Sequence, residues 1–411
     1  MNVALLIARR IFFGSADRKA SVTPSSRIAL WGVALGFAVM IISLAVMVGF
    51  KREIREKVSG FSAHVQLTHR GSDGVESSPI LATDSIVRQI AQLDGVRQAY
   101  RYSLKPGVLK TDDEFDGVMI KGLDSLGNWD FFAQYLIDGA LPQPAQRTPE
   151  VLISSYIARR LRLAVGDKVF AYFLTDDVKS RRFLVSGIYE TGFTDYDRLY
   201  LVTPIEVVNS INDWSDEQAS GIGVMAHRFE QAVPIEMRLY DGVERGEWGI
   251  DPALIVQSAE LLTPQIFAWL DLLDINVVVI LVLMFAVSGF TMVSGLLIII
   301  IERTQMIGTL KAMGQTNRSL RKVFLYLSMF LIGKGLLWGN AVGIGLCLVQ
   351  RYAHVVALDP SVYYLSAVPI ALDLWMVVLL NLCALGATTL LMIAPTYVVT
   401  RISPSQAMRF E

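Results

Sequence analysis

Between Ile28 and Phe50 the chain runs 23 residues without Asp, Glu, Lys or Arg, and Ile275–Ile301 and Leu374–Thr400 do the same over 27 residues each. A fourth run, Val323–Gln350, is interrupted only by Lys334. About 20 apolar residues in an α-helix cross the hydrocarbon layer of a bilayer, so each run is long enough to span. In lipid the backbone must satisfy its own hydrogen bonds, which makes helices the form such runs take. The 53% apolar content is concentrated in these runs. The predicted fold class is an α-helical membrane protein with four transmembrane helices, one before and three after a large extracytoplasmic α+β domain.

Orientation follows from where Lys and Arg fall. Residues 1–27 carry five basic residues and one acidic, and residues 302–322 carry five (Arg303, Lys311, Arg318, Arg321, Lys322) against Glu302. The segment 351–373 has only Arg351, and the tail 401–411 adds Arg401 and Arg409. Both termini and 302–322 are therefore expected in the cytoplasm. Residues 51–274 are expected outside and 351–373 as a short outer loop. The stretch "LLIARRIFF" near the N-terminus reads as an amphipathic helix on the membrane surface.

The outer segment 51–274 holds 23 basic and 33 acidic residues, a balance that disfavours nucleic acid as a partner. Its charged beginning, "KREIREKVSG", extends the first span as a helical stalk to Gly60. "HVQLTH" alternates as a strand, and "TDSIVRQIAQL" is an amphipathic helix with Asp84 in its first turn and Gly95 beyond its end. "VLISSYIARRLRLAVGDKVFAYFL" reads strand, helix, turn, strand. "RRFLVSGIYETGFTDYDRLYLVTPIEVVNSIN" adds two strands and a helix. "TPQIFAWLDLLDINVVV" leads helically into the second span. The two cysteines, Cys347 and Cys383, lie in predicted spans, so no disulfide frames the outer domain. The four histidines are scattered singly, and no metal-ligand spacing or catalytic constellation is visible. The chain is expected to carry no catalytic, cofactor or metal site.

Between the second and third spans lies "IERTQMIGTLKAMG". Laid on a helix from Glu302 to Met313, Met306, Leu310 and Met313 form an apolar stripe, with Ile307 adjoining, beside Arg303 and Lys311. Gly314 stands where a left-handed C-cap glycine belongs, and Asn317 or Ser319 suits the start of the next helix. Physics alone leaves two readings open: an amphipathic turn on the membrane surface, or a short helix offered to a groove on a cytoplasmic partner.

"ERTQMIGTLKAMG" with the following "NRSLRKVF" resembles the cytoplasmic coupling segment of the FtsX-like ABC transporter permeases, roughly E-R-x-x-E-I-G-x-L-K-A-x-G, departing from it at Gln305 and Met306. The ending "APTYVVTRISPSQAMRFE" is similar to the close of that superfamily. "GFKREIREKVSGFSAHVQLT", "RRFLVSGIYETGFTDYDRLYLV" and the approach to the second span look like the LolC/LolE type, the lipoprotein-releasing permeases. The resemblance implies a multi-pass protein of the bacterial inner membrane whose coupling residues are Glu302, Arg303, Met306, Ile307, Leu310, Lys311, Met313 and Gly314. It also implies a LolD-like ATPase subunit that binds ATP and Mg, a second permease subunit as a homo- or heterodimer, a lipoprotein substrate, membrane lipids and a periplasmic LolA-like chaperone. No G-x-x-x-x-G-K-[ST] loop occurs in the chain, in keeping with a separate ATPase. The competing class is an FtsX-type transducer controlling a periplasmic partner such as a cell-wall hydrolase. An efflux-type permease of the same superfamily is a further alternative.

Two charged features remain. In LolC-like permeases a loop at the position of "FLTDDVKSRRF" recruits the chaperone; here Lys179, Arg181 and Arg182 either meet such a partner or are solvated hairpin charges. Lys334 is a charge within a span, which costs about 2.5–3.5 kcal/mol on insertion scales. It is expected at a helix interface, bonded to Asn340, Asn381 or a carbonyl; the alternative is a cation facing lipid head groups. Its neighbours Gly335, Gly339 and Gly343 repeat every four residues as a packing stripe.

Overall fold

The computed structural model describes residues 3–13, 24–72, 78–111, 114–144, 148–173, 179–249, 251 and 253–401. In chain order the helices are α1 (Val3–Phe13), α2 (Pro24–Ser62), α3 (Asp84–Ala91), α4 (Trp129–Gln134), α5 (Ser155–Leu161), α6 (Thr194–Leu199), α7 (Ile205–Asn212), α8 (Ala232–Glu244), α9 (Ala259–Leu262), α10 (Pro264–Glu302), α11 (Thr304–Ala312), α12 (Asn317–Ala353), α13 (Pro360–Tyr363), α14 (Leu374–Leu391), α15 (Ile393–Thr396) and α16 (Val398–Arg401). The strands are β1 (Val65–His69), β2 (Ile80–Leu81), β3 (Val96–Lys110), β4 (Phe115–Leu123), β5 (Leu136–Gly139), β6 (Glu150–Ser154), β7 (Lys168–Phe173), β8 (Lys179–Tyr189), β9 (Tyr200–Pro204), β10 (Gln218–Ala219), β11 (Gly221–Ala226) and β12 (Leu254–Ser258). They form two compact units. One comprises residues 1–51, 269–357 and 367–411; the other comprises 52–268 with 358–366.

In the helical unit four stretches, 27–62, 264–302, 317–353 and 374–400, are long and apolar enough to cross a membrane. The first is a single helix to Ser62, so the charged stalk expected to Gly60 continues α2 without a break. Thr316, rather than Asn317 or Ser319, caps α12 by accepting from Ser319 N, and Asp373 caps α14 by accepting from Trp375 N. The last stretch breaks after Leu391 into α15 and α16, where Pro395 supplies no N–H to continue the ladder. The core of this unit runs through Phe37, Met40, Ile41, Met292, Leu296, Phe324, Leu327 and Leu331.

In the α+β unit β3, β4, β9, β6, β8 and β7 pair in succession, and β7 pairs back to β3, closing a six-stranded barrel. Leu109, Val118, Ile120, Phe173, Phe183 and Leu201 fill it, with Ile157 of α5 and Val208 of α7 packed on them. A second sheet runs β12-β1-β11-β3 and is backed by α3 and α8 through Ile86, Ile90, Ile235 and Leu239. The 15-residue β3 belongs to both: its first half pairs β11 and its second half pairs β4 and β7. Pro106 lies between those partners, at a point where only β4 flanks the strand. The two strands and helix expected over "RRFLVSGIYETGFTDYDRLYLVTPIEVVNSIN" are β8, β9 and α7, and the short helix α6 lies between the strands in addition.

Candidate coupling helix, span packing and the anchor of the α+β unit

Glu302 closes α10, Arg303 leaves helical geometry at φ −104° and ψ 16°, and α11 begins at Thr304. The expected helix over Glu302–Met313 is thus a nine-residue helix with a break before it. Gly314 takes the left-handed conformation at φ 90°, as its place demanded, and Gly314 N donates to Lys311 O. The structure divides the apolar stripe. Ile307 is fully buried, and Met306 and Leu310 pack half-buried against the core of the helical unit. Met313 is 71% exposed, and Glu302, Gln305, Thr309 and Ala312 share its outward exposure. Lys311, read from the sequence as flanking the stripe, is half-buried, and its ammonium donates to the carbonyls of Val399 (2.9 Å) and Thr400 (3.4 Å). Arg321 lies 3.6 Å over the Tyr397 ring on the same side of the unit. The helix therefore seats its stripe on its own chain and presents a small face ending in Met313.

Glycines set how closely the long helices approach. A Cβ on Gly335 would stand 2.9 Å from Val33, one on Gly339 2.8 Å from the Ala34 carbonyl, and one on Gly343 3.1 Å from Ala38 Cα. The expected stripe is the seam between α12 and α2, and the rising numbers show the two helices running parallel. Gly32 against Thr291 and Gly36 against Ser288 make the equivalent seam with α10, which runs antiparallel. Lys51 of α2 pairs with Asp274 of α10 at 2.5 Å. Asn340 and Asn381 bond each other in both directions, at 2.8 and 3.0 Å, joining α12 to α14.

That reciprocal pair leaves Lys334 out, which corrects the expected bond to Asn340 or Asn381. Lys334 is exposed, with its ammonium 5.8 Å above the Phe12 ring of α1. The N-terminal helix packs on α12, with Ala4 and Ala8 against Val323 and Phe12 stacked on Phe330 at 5.7 Å.

In the α+β unit the end of α2 is held in a socket. Phe61 is buried among the rings of Phe131, Phe132, Tyr189, Tyr196 and Tyr200, at 4.9–6.3 Å between centroids. A Cβ on Gly60 would strike Phe131 at 2.2 Å, so the glycine is what lets the ring in. The chain leaves the helix through Ala63 at φ 63°, with Ala63 N donating to Ser59 O. Lys121 of β4 donates from full burial to the carbonyl of Phe61, and its ammonium lies 4.9 Å over the Tyr102 ring. Burial pulls its pKa down to about 7. Neither residue was singled out from sequence. The signal was a lysine inside "DGVMIKGLD", whose neighbours Ile120 and Gly122 oblige β4 to be buried on both faces.

The segment 351–373, expected as an outer loop, is more than a connection. Residues 358–366 are part of the α+β unit. Thr194 Oγ1 donates to Pro360 O at 3.0 Å, the Tyr364 hydroxyl donates to Asp195 at 3.2 Å, and the Tyr364 ring meets Phe193 edge-on at 4.9 Å. Tyr364 holds a left-handed φ of 59°, and its carbonyl accepts from the buried Lys57 at 3.2 Å. Beside it, Asp197 accepts from Thr191 Oγ1 and Gly192 N, and burial raises its carboxyl to about 6.

Of the charges beside "FLTDDVKSRRF", Lys179 pairs with Asp213 and also donates to Ile211 O, whereas Arg181 and Arg182 are exposed on β8. Residues 174–178, most of that loop, lie outside the described residues, as do Arg18, Lys19 and the tail beyond Arg401.

Known families match both parts of the chain. The FtsX-like permease C-terminal family matches residues 278–404, and the MacB-like periplasmic core domain family matches residues 26–240. A lipoprotein-releasing system transmembrane protein LolC of Xylella fastidiosa is 23% identical over 94% of each chain. One from Neisseria meningitidis is 22% identical over 93% of this chain and 94% of its own, and LolE of Haemophilus influenzae is 20% identical over 99% of each. The extracellular domain of the ABC-type transporter YknZ aligns with 47% of this chain and 99% of its own, at 17% identity and a TM-score of 0.34. The periplasmic region of MacB from Actinobacillus actinomycetemcomitans aligns with 51% and 95%, at 13% identity and 0.35. With four spans' worth of apolar helix and both family matches in order, the chain belongs to the FtsX-like ABC transporter permeases with a MacB-like periplasmic core, multi-pass membrane proteins whose full-length relatives here are of the LolC/LolE type.

Proposed function

We propose that this chain is the permease subunit of an ATP-driven complex that releases lipoproteins from the bacterial inner membrane. The end-to-end match to lipoprotein-releasing transmembrane proteins, over 94% of both chains, carries the proposal. One span precedes the α+β unit and three follow it. Both termini and α11 lie in the cytoplasm and the α+β unit in the periplasm, as the Lys and Arg asymmetry supports. ATP and Mg are bound by a separate LolD-like subunit, and a second permease subunit completes the pair. The chain itself carries no chemistry. The lipoprotein passes to a LolA-like carrier, with the exposed Arg181 and Arg182 beside the loop that meets it.

The outward face of the 302–313 segment, Glu302, Gln305, Thr309, Ala312 and Met313, is the surface the ATPase subunit takes. Ile307, Met306 and Leu310 fix the helix to the permease, so that pressure on Met313 reaches α10 and the core instead of being lost in a free turn. Reconstitution tests this. Proteoliposomes holding the full chain, its ATPase and a lipid-anchored protein should shed that protein into solution only with ATP and a carrier. Activation of a cell-wall hydrolase without shedding would favour the transducer class instead.

A further inference from the structure

Two cations on neighbouring helices stand within about one turn of each other in height, within or beside apolar stretches. Trp31 of α2 packs on Trp338 of α12, with ring centroids 6.0 Å apart, and both are exposed. One helical turn toward the N-terminus of each helix lie Arg27 and Lys334, on the same faces as the indoles. Because α2 and α12 run parallel through the Gly335, Gly339 and Gly343 contacts, that step leaves Lys334 about level with Trp31 and Arg27 about one turn below it. The same contacts set their depth. Gly335 faces Leu30 and Val33, so Lys334 sits at the start of the first apolar run and not at its middle. Both side chains are exposed, and among the described residues no carboxylate pairs with either.

Two like charges about one turn apart at the edge of hydrocarbon, with no carboxylate between them, call for an anion. Indoles mark the depth of the lipid head groups. We propose that Arg27 and Lys334 together hold the phosphodiester of one anionic phospholipid, with Trp31 and Trp338 against its glycerol and first methylenes. The lipid belongs to the leaflet on the N-terminal side, which is the cytoplasmic one if the proposed orientation holds. Phe12, beneath Lys334, closes the site on the side of α1. Basic pockets between spans are the usual receivers of such head groups.

Native mass spectrometry of the full-length chain in mild detergent, offered phosphatidylglycerol and phosphatidylcholine of equal chain length, tests the site without reference to transport. The wild type should retain one phosphatidylglycerol in preference to phosphatidylcholine. Lys334→Met should weaken that retention about fivefold, and adding Arg27→Met should weaken it about fivefold again. Lys334→Arg should keep it. Far-ultraviolet circular dichroism identifies any variant that fails to fold, and the Lys334→Met and Lys334→Arg comparison then stands by itself. Equal retention of the two lipids by the wild type, or undiminished phosphatidylglycerol on a folded double variant, would overturn the proposal. So would displacement of the lipid by millimolar inorganic phosphate, which would mark a site for the free anion. Failure of lipoprotein release would leave all of these outcomes unchanged.

Discussion

The ammonium of Lys121 reaches the carbonyl of Phe61, joining the middle of the barrel to the last turn of a helix that begins at Pro24. A buried lysine with no carboxylate beside it is costly, and here its donor satisfies a carbonyl that the end of α2 would otherwise orphan.

Lys121 makes stability depend on pH in a predictable direction. Its folded midpoint of about 7 lies below the unfolded value of about 10.4, so between them the unfolded chain holds a proton the folded chain lacks. Stability from this group rises with pH through that window, and below about 7 the full cost of the buried ammonium is present. Melting temperatures of wild type and Lys121→Met at pH 7 and pH 9 should therefore show the wild type gaining on the variant at the higher pH. Parallel curves would show that the group does not titrate on unfolding.

Phe61→Ala should cost about 3–5 kcal/mol, since it empties an aromatic cage that the rest of the barrel cannot collapse into. Chemical denaturation read by tyrosine and tryptophan fluorescence gives the value, and a loss below about 1 kcal/mol would mean the cage is not a rigid socket.

Gly339→Leu should prevent α2 and α12 from closing, because even a Cβ there meets the Ala34 carbonyl at 2.8 Å. Gly333→Leu, on the same helix with nothing within 4 Å, should be tolerated. Yield and monodispersity in detergent separate the two, and equal behaviour would deny that the stripe is the seam.

Met313→Asp should release the ATPase subunit while leaving the permease folded, because the side chain faces outward. Ile307→Asp should instead damage the permease, because its side chain is fully buried. Co-purification of the ATPase with Met313→Asp at full yield would remove the docking role from this face.

Much of this was legible in the sequence because its signals were strong and local. Uninterrupted apolar runs marked the four long apolar helices, and the Gly335, Gly339 and Gly343 repeat marked a seam, though not its partner. Gly314 could be placed because a left-handed cap admits few other residues. What escaped was set by contacts distant in sequence. Which side of α11 faced the protein depended on residues near Val399, about ninety positions on. Tyr364 joined the α+β unit through Phe193 and Asp195, and nothing in the loop's own composition says so. The stretch 213–262, with β11, α8 and β12, carried no sharp periodicity and went unread. The socket for Phe61 is drawn from four separate segments, and a lone phenylalanine after a glycine gives no hint of it.

β3 passes from the sheet backed by α3 and α8 into the barrel as one strand, its ladders changing partners without a turn between them. An extended strand hydrogen-bonded along its whole length resists stretching and shear in its own plane. The two halves of the α+β unit thus have no hinge at which to dissipate a displacement. Movement imposed where α2 enters the socket would be delivered at the far rim of the barrel almost undiminished, as by a crowbar and not a wrist.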